Sequence, residues 1–246
     1  MKNRLIIIAL LITAAVAGAQ DKTKGNTRKP PVNKVADSGS FGIFIQGRRV
    51  GTETFRIEEG ADVSAATSSV KVDDGTTKAE QTSEMRVDHF GNLKYYRWRS
   101  TVPTKEETVV EPSEDLLVEH IIPADLKKMD LPHILPLATS ILDDNFFSHR
   151  EILAWRYLAT NCPPDKDGRF SCTPGDFSIL VPRQHLAGNA RVELVGRNAI
   201  KVKGVEKEMD ELKVDTGGAL WLIWIGEDFK VMKISIPSNG VEVVRD

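Results

Sequence analysis

The segment 220–225, Leu-Trp-Leu-Ile-Trp-Ile, constrains the fold of this 246-residue chain more than any other part of it. Six apolar residues in a row form a strand that is apolar on both faces. A strand with one face in water alternates apolar and polar residues instead. We therefore expect this strand to be covered on both sides, or to line an apolar cavity with one side.

The rest of the chain after residue 40 consists of short apolar or alternating runs separated by turns. Close spacing of strands with short turns is typical of an antiparallel meander. The predicted strands are 41–45, 50–57, 62–72, 78–88, 92–102, 106–111, 115–122, 176–182, 190–195, 198–203, 206–215, 218–226, 229–236 and 240–245.

One helix interrupts the strands, at about 149–160. Ser148 and Glu151 have the spacing of a capping box, in which each side chain satisfies a backbone donor at the helix start. Pro163 prevents its extension. This helix is the candidate cover for the strand 220–225. We predict a mainly β fold, a curved antiparallel sheet (half-barrel or open barrel) wrapped around one central helix.

The two cysteines, Cys162 and Cys172, are separated by nine residues. In an oxidising compartment such a pair predicts a disulfide. The alternative is a metal pair, but no further Cys or nearby His completes a set of four ligands. We predict a small disulfide loop, no metal site and no cofactor.

The first 19 residues have the three parts of a cleaved secretory signal. Lys2 and Arg4 are basic, 5–16 is apolar, and 17–19 offers small residues before a cut. The apolar run is shorter than the roughly 20 residues that span a bilayer. The alternative is an uncleaved anchor. We expect export to the periplasm or the extracellular space, with no transmembrane segment after cleavage.

Residues 20–38 are polar and contain Pro30 and Pro31, which predicts a disordered linker. The segment 39–246 then forms a single β-rich envelope domain. Without the signal, 31 basic residues stand against 35 acidic ones, a net charge of −4. An acidic domain argues against nucleic acid as a partner, because proteins bind phosphates with basic surfaces.

The two ends of the mature domain resemble known exported proteins. The residues that carry the resemblance are the hairpin at 41–57, with Gly47 and the run Val50-Gly51-Thr52-Glu53, and the strands from 220 to 245. They resemble uncharacterised bacterial proteins grouped as domains of unknown function, whose shape is similar to the half-open β-barrel of the LolA/LolB lipoprotein carriers. The resemblance implies a fold and no catalytic residues. The long cysteine loop is not part of the carriers' pattern.

Aromatic and apolar residues supply the candidate binding wall. Tryptophan and tyrosine on alternating strands offer large contact areas with a polar tip. The predicted ligand-binding residues are Trp221, Trp224, Trp98, Tyr96, Phe146, Leu153 and Tyr157.

His149 is the one candidate catalytic residue. Helical spacing puts it on the same face as Phe146, Leu153 and Tyr157, where a titratable group faces the sheet. The alternative is a histidine at the first helical position that is either hydrogen-bonded to a loop or simply half-exposed. The chain has neither a G-x-S-x-G nucleophile motif nor a zinc-binding histidine spacing.

The sequence leaves three functions open. The leading hypothesis is a non-enzymatic envelope domain that binds an apolar small molecule, a lipid or a partner envelope protein in a concave sheet. The second is a hydrolase that uses His149 with a carboxylate from a neighbouring strand. The third is a structural or assembly factor of the envelope. The two-sided apolar strand favours the first.

Overall fold

Strands and turns alternate along almost the whole of the described chain. The computed structural model describes residues 33–163, 171–202 and 204–246. The predicted signal peptide and residues 20–32 of the predicted linker lie outside the described residues. The described residues form these elements: β1 Lys34–Ile45, β2 Arg48–Glu59, β3 Val63–Asp73, β4 Lys78–Asp88, β5 Leu93–Val102, β6 Glu106–Ser113, β7 Leu116–Ile122, β8 Met129–His133, β9 Ser140–Ile141, α1 Ser148–Asn161, β10 Gly175–Val181, β11 Leu186–Val202, β12 Val205–Asp215, β13 Leu220–Ile225, β14 Val231–Ile236 and β15 Val241–Arg245.

All fifteen described strands belong to one sheet, in which paired strands are consecutive in the chain with one exception. The exception is at the centre, where β1 pairs with β15. This pair joins an N-terminal meander, β1 to β8, to a C-terminal meander, β9 to β15. The strands β8 and β9 are the two edges, so the sheet is open. Only β9 and β10 are parallel among these pairs. The predicted antiparallel half-barrel is confirmed.

Irregular pairing bends both meanders. The register shifts between Glu80 and Gln81 in β4 and between Leu194 and Gly196 in β11. Such β-bulges insert a residue into one strand and increase its local twist. The bends let the long strands curve around the helix.

The helix α1 packs in the concavity and contacts both meanders. On one side, His149 lies against Tyr96 of β5, with ring centroids 5.7 Å apart. On the other side, Tyr157 lies edge-on to Phe177 of β10 at 6.5 Å. Leu153 between them is buried. The prediction of a sheet wrapped around one central helix is therefore confirmed.

The start of α1 is capped by a residue from another element. Phe147 is the N-cap residue, and its own side chain makes no capping bond. The carboxylate of Glu53 in β2 accepts hydrogen bonds from the backbone N–H of Phe147 at 2.7 Å and of Ser148 at 3.2 Å. It also accepts from the hydroxyls of Ser148 at 2.7 Å and Ser68 at 2.6 Å. The predicted Ser148–Glu151 capping box is wrong, because a strand carboxylate occupies the capping position.

The strand β13 is covered on both faces, as its sequence predicts. Trp221 and Ile223 face the concave core. Trp224 faces the other way and packs against Val202 and Met209, which belong to the far part of the β11–β12 hairpin. The helix therefore covers only the inner face, whereas a hairpin covers the outer one.

Three other boundaries differ from the sequence predictions. The strand β1 begins at Lys34 rather than 41, because Asp37 is buried in an ion pair with Arg245 of β15. The predicted strands 190–195 and 198–203 are one strand, β11, which continues through its bulge. The short strands β8 and β9 are additional. Pro132 lies in β8, where an edge strand tolerates a missing N–H.

The predicted disulfide between Cys162 and Cys172 is confirmed. It ties the end of α1 to the segment that enters β10. Within the described residues, no helix combines the length and the apolar character needed to cross a membrane.

We predict that Glu53→Ala lowers the free energy of unfolding by about 3–5 kcal/mol, because it leaves buried donors at the start of α1 without an acceptor. Chemical denaturation monitored by circular dichroism measures the change. The matched control is Glu58→Ala on the same strand. Glu58 pairs with Arg56 at the surface, so its loss should cost less than about 1 kcal/mol. Equal effects of the two substitutions would contradict the capping role.

Candidate functional site

A cavity of about 580 Å³ lies between the inner face of the sheet and the start of α1. The buried residues that line it include Phe147 at the helix start, Arg150 in the first turn of the helix and Trp221 of β13. Its walls are inward-facing apolar side chains from both meanders, including Ile43, Val50, Ile179, Val214 and Ile236. Its rim is more polar and includes Asp144, Asn145, Gln184 and Asn239.

Arg150 brings a positive charge to the cavity floor. The residue is only 2% exposed. Its guanidinium carbon lies 4.1 Å from the ring centroid of Trp221 and 6.0 Å from that of Phe147. A cation over the face of an indole is attracted by the ring quadrupole. Arg150 and Trp221 therefore pack against each other at the floor of the cavity.

The hydrogen bonds of Arg150 go to neutral backbone groups. Its Nη1 donates to the carbonyl oxygens of Asp143 and, at 2.9 Å, Phe146, and its Nη2 donates to that of Leu142 at 3.3 Å. Its Nε has no hydrogen-bond partner among the described residues. Burial lowers the pKa of Arg150 to about 10, and nearby carboxylates, Asp144 first, oppose that shift. The guanidinium thus stays charged at neutral pH.

A buried carboxyl group lies beside the cavity floor. Asp143 accepts hydrogen bonds from the hydroxyl of Tyr96 and from the backbone N–H of Arg183 at 2.9 Å. Burial raises the pKa of Asp143 to about 6, and these two bonds oppose the shift. Asp143 therefore fixes the loop before α1 against β5.

His149 is buried in the core without a carboxylate partner. Its Nε2 lies 3.4 Å from the hydroxyl oxygen of Ser83, and its Nδ1 has no partner among the described residues. Burial, with the charge of Arg150 as a second cause, lowers the pKa of His149 to about 3. The imidazole is therefore neutral at physiological pH, and no described acid orients it as in a catalytic triad.

The seven residues of the predicted binding wall lie in four places. Trp221 lines the cavity. Trp98 lines a second cavity of about 670 Å³ beside it. Trp224 lies on the outer face, where its Nε1 donates to Glu211 at 3.2 Å. The remaining four are packed core residues: Tyr96, Phe146, Leu153 and Tyr157.

The sequence reasoning missed Arg150 as a site residue. The signal was present in the helix spacing, because Phe146, Arg150, Leu153 and Tyr157 recur at the intervals that place residues on one helix face. All four are buried. Arg150 is the basic residue in the middle of this buried helix face, and it lines the cavity.

A histidine–glutamate cluster bridges the open side of the sheet. Glu119 of β7 is fully buried. Its two oxygens lie 2.9 Å from Nε2 of His133 in β8 and 2.7 Å from Nδ1 of His185, which precedes β11. The cluster therefore links one meander to the other. Among the described residues, no group of three His, Cys, Asp or Glu is arranged to hold a metal ion.

The carboxyl group of Glu151 is buried on the other side of the helix start. The Arg245 guanidinium lies 3.7 Å from Oε1, and Asp37 and the backbone of Val231 also neighbour the carboxyl group. Arg245 is already paired with Asp37. Burial first, and the neighbouring Asp37 second, raise the pKa of Glu151 to about 9. Glu151 is therefore protonated at neutral pH.

No protein-family model matches this sequence, and no curated protein is significantly similar to it. Among solved structures, the chain is similar to a β-barrel-like protein of the domain of unknown function DUF1849 from Brucella abortus. The TM-score is 0.51 over 85% of this chain and 94% of that chain, at 8% sequence identity. At this identity the similarity shows the fold alone. It supports the barrel-like fold that the sequence resemblance implies.

We predict that Glu151 makes the protein less stable as the pH rises. The pKa of Glu151 is higher in the folded chain than the ordinary value of 4.5. Its contribution to the free energy of unfolding is therefore complete below pH 4.5 and is lost as the pH rises towards about 9. The slope reaches at most about 1.4 kcal/mol per pH unit. Chemical denaturation of the wild type and of Glu151→Gln at several pH values between 4.5 and about 9 measures this slope.

The Glu151→Gln variant should lose this part of the slope, because glutamine does not titrate. Glu227→Gln is the matched control, since the Glu227 side chain is 86% exposed. It should keep the wild-type slope. Identical pH profiles for the wild type and Glu151→Gln would contradict the buried, protonated state.

Proposed function

We propose that this protein is a non-enzymatic domain of the cell envelope that binds an apolar ligand in the cavity between its curved sheet and the start of α1. The observation that carries the proposal is the cavity of about 580 Å³, with apolar side chains from both meanders and Trp221 at its floor. Small-molecule sites are typically concave, mostly apolar and about 300–1,000 Å³ in volume, with a few polar groups.

The surroundings of the cavity favour a permanent binding site over a packing defect. Protein interiors are closely packed, and voids larger than a water molecule are few. Here the cavity walls come from strands whose positions are fixed by the ladder of the sheet, and Glu53 fixes the helix start. The space is therefore held open by hydrogen-bonded elements on several sides.

A binding role fits the chemistry of the core better than hydrolysis does. A histidine base needs a partner that orients it and a pKa near the working pH. Burial holds His149 neutral, with its pKa lowered to about 3, and the described residues give its Nδ1 no partner. The hydroxyl of Ser83 near its Nε2 is buried with it.

The proposed location in the envelope rests on two features. The first 19 residues have the pattern of a secretory signal. The Cys162–Cys172 disulfide is consistent with an oxidising compartment. The resemblance to the LolA/LolB carriers implies a concave sheet, which is compatible with a cavity for an apolar ligand. Within the envelope, a lipid or another apolar small molecule is the ligand class that such a cavity accepts.

We predict that the protein binds the neutral apolar dye N-phenyl-1-naphthylamine and that Ala187→Trp weakens this binding. Ala187 lies at the exposed rim of the cavity in β11, so an indole there takes up space that the ligand needs. A loss of about 60 Å² of apolar contact corresponds to about tenfold in affinity. Fluorescence titration measures the dissociation constants.

The matched control is Ala199→Trp, an exposed position on the same strand but away from the cavity lining. It should leave dye affinity unchanged. Native mass spectrometry of protein isolated from its own host should show a bound apolar molecule that solvent extracts. No dye binding and no extractable ligand would overturn the proposed function.

A further inference from the structure

The floor of the cavity holds a charge that the described residues do not neutralise directly. The Arg150 guanidinium is buried, and among the described residues no carboxylate oxygen lies within 4.0 Å of it, the distance of an ion pair. Charges buried in proteins are normally paired, because removing an ion from water costs several kcal/mol. A buried cation without an ion-pair partner at the floor of a cavity is a position at which an anionic ligand group can bind.

The local contacts of Arg150 explain its position but not its charge. Three backbone carbonyls, those of Leu142, Asp143 and Phe146, hold the two terminal nitrogens. The face of Trp221 adds a further attraction. The carbonyls and the indole ring carry no net charge. A lysine or a neutral hydrogen-bond donor could also bind the carbonyls, so they do not require a guanidinium. The Nε–H is left without an acceptor among the described residues.

The acidic residues around Arg150 are each engaged with other groups. Glu53 accepts hydrogen bonds from three donors at the helix start and from the Ser68 hydroxyl of β3. Asp143 is bonded to the Tyr96 hydroxyl. Asp144, at the half-exposed rim, accepts from the side-chain amide of Gln184. These carboxylates lower the positive electrostatic potential at Arg150 from a distance, but none forms an ion pair with it.

We propose that the cavity binds a single-chain amphiphile whose oxyanion head, a carboxylate or a phosphate, lies against Arg150 while its acyl chain lies along Ile43, Val214 and Ile236. This inference rests on the proposed function and names the ligand class of the same cavity. Arg150 is the one basic residue in the described lining, and Asp144 the one acidic residue. Because Asp144 lies at the rim, it disfavours an anion there and favours the inward position of the head.

The test compares two ligands that differ only in the head group. Dodecanoate and dodecanol displace the neutral dye from the full-length, oxidised protein at neutral pH, and acetate tests the head group alone. A hydrogen bond to a charged group in a desolvated site corresponds to about tenfold or more in affinity. We expect dodecanoate to bind at least about tenfold more tightly than dodecanol, and acetate not to displace the dye.

Two substitutions assign this preference to Arg150. Arg150→Gln should remove the preference for the acid, so that dodecanoate and dodecanol bind the variant with equal affinity. Arg150→Lys keeps the charge and should keep a preference for the acid. Circular dichroism and dye binding verify that each variant is folded. If Arg150→Gln does not fold, the two-ligand comparison on the wild type decides the question by itself.

The outcomes separate this inference from the proposed function. Equal affinities of dodecanoate and dodecanol for the wild type would overturn the oxyanion ligand and leave the apolar site standing. A preference for the acid that persists in a folded Arg150→Gln variant would also overturn it. If the dye, the alcohol and the acid all fail to bind, both the ligand class and the proposed function are overturned.

Discussion

The first amide groups of an α-helix need acceptors that the helix itself does not provide, and in this protein the helix starts inside a sheet, away from water. The carboxylate of Glu53 supplies them from β2, and it also binds the hydroxyls of Ser68 and Ser148. Burial raises the pKa of Glu53, while these hydrogen bonds oppose the shift. One side chain thus fixes the helix start, and the position of the helix start sets the floor of the cavity.

The polar groups of the core are concentrated around that helix start. Arg150 lies at the cavity floor, Asp143 beside it, and Glu151 on the side towards Asp37 and Arg245. A core built only for stability would use apolar side chains here, since exchanging buried ion pairs for apolar residues is often neutral or stabilising. The retained charge of Arg150, next to an apolar cavity, is the feature that a ligand-binding role explains and that simple packing does not.

The sheet was largely predictable, because alternating runs and turn residues are local signals. The helix was predictable in extent but not in its capping, since Glu53 is far from α1 in sequence. Its own strand carries a signal, as Glu53 shares the inward face with Phe55 and Ile57. The cover of Trp224 was not predictable, because it depends on the bulge at Gly196, beyond which the far part of the β11–β12 hairpin packs on the outer face. Arg150 was overlooked because charged residues on helices usually face water.

The proposed binding role depends on an apolar chain that enters the space beside the helix start. Anomalous diffraction from crystals grown with 12-bromododecanoate tests it most directly, because the bromine marks the position of the chain end without reliance on weak density. We expect a bromine peak inside the cavity or at its rim, between Val214 and Trp221 on one side and Val50 on the other, with the carboxylate at Arg150. A peak only on the outer surface, or a cavity filled by rearranged side chains, would contradict it.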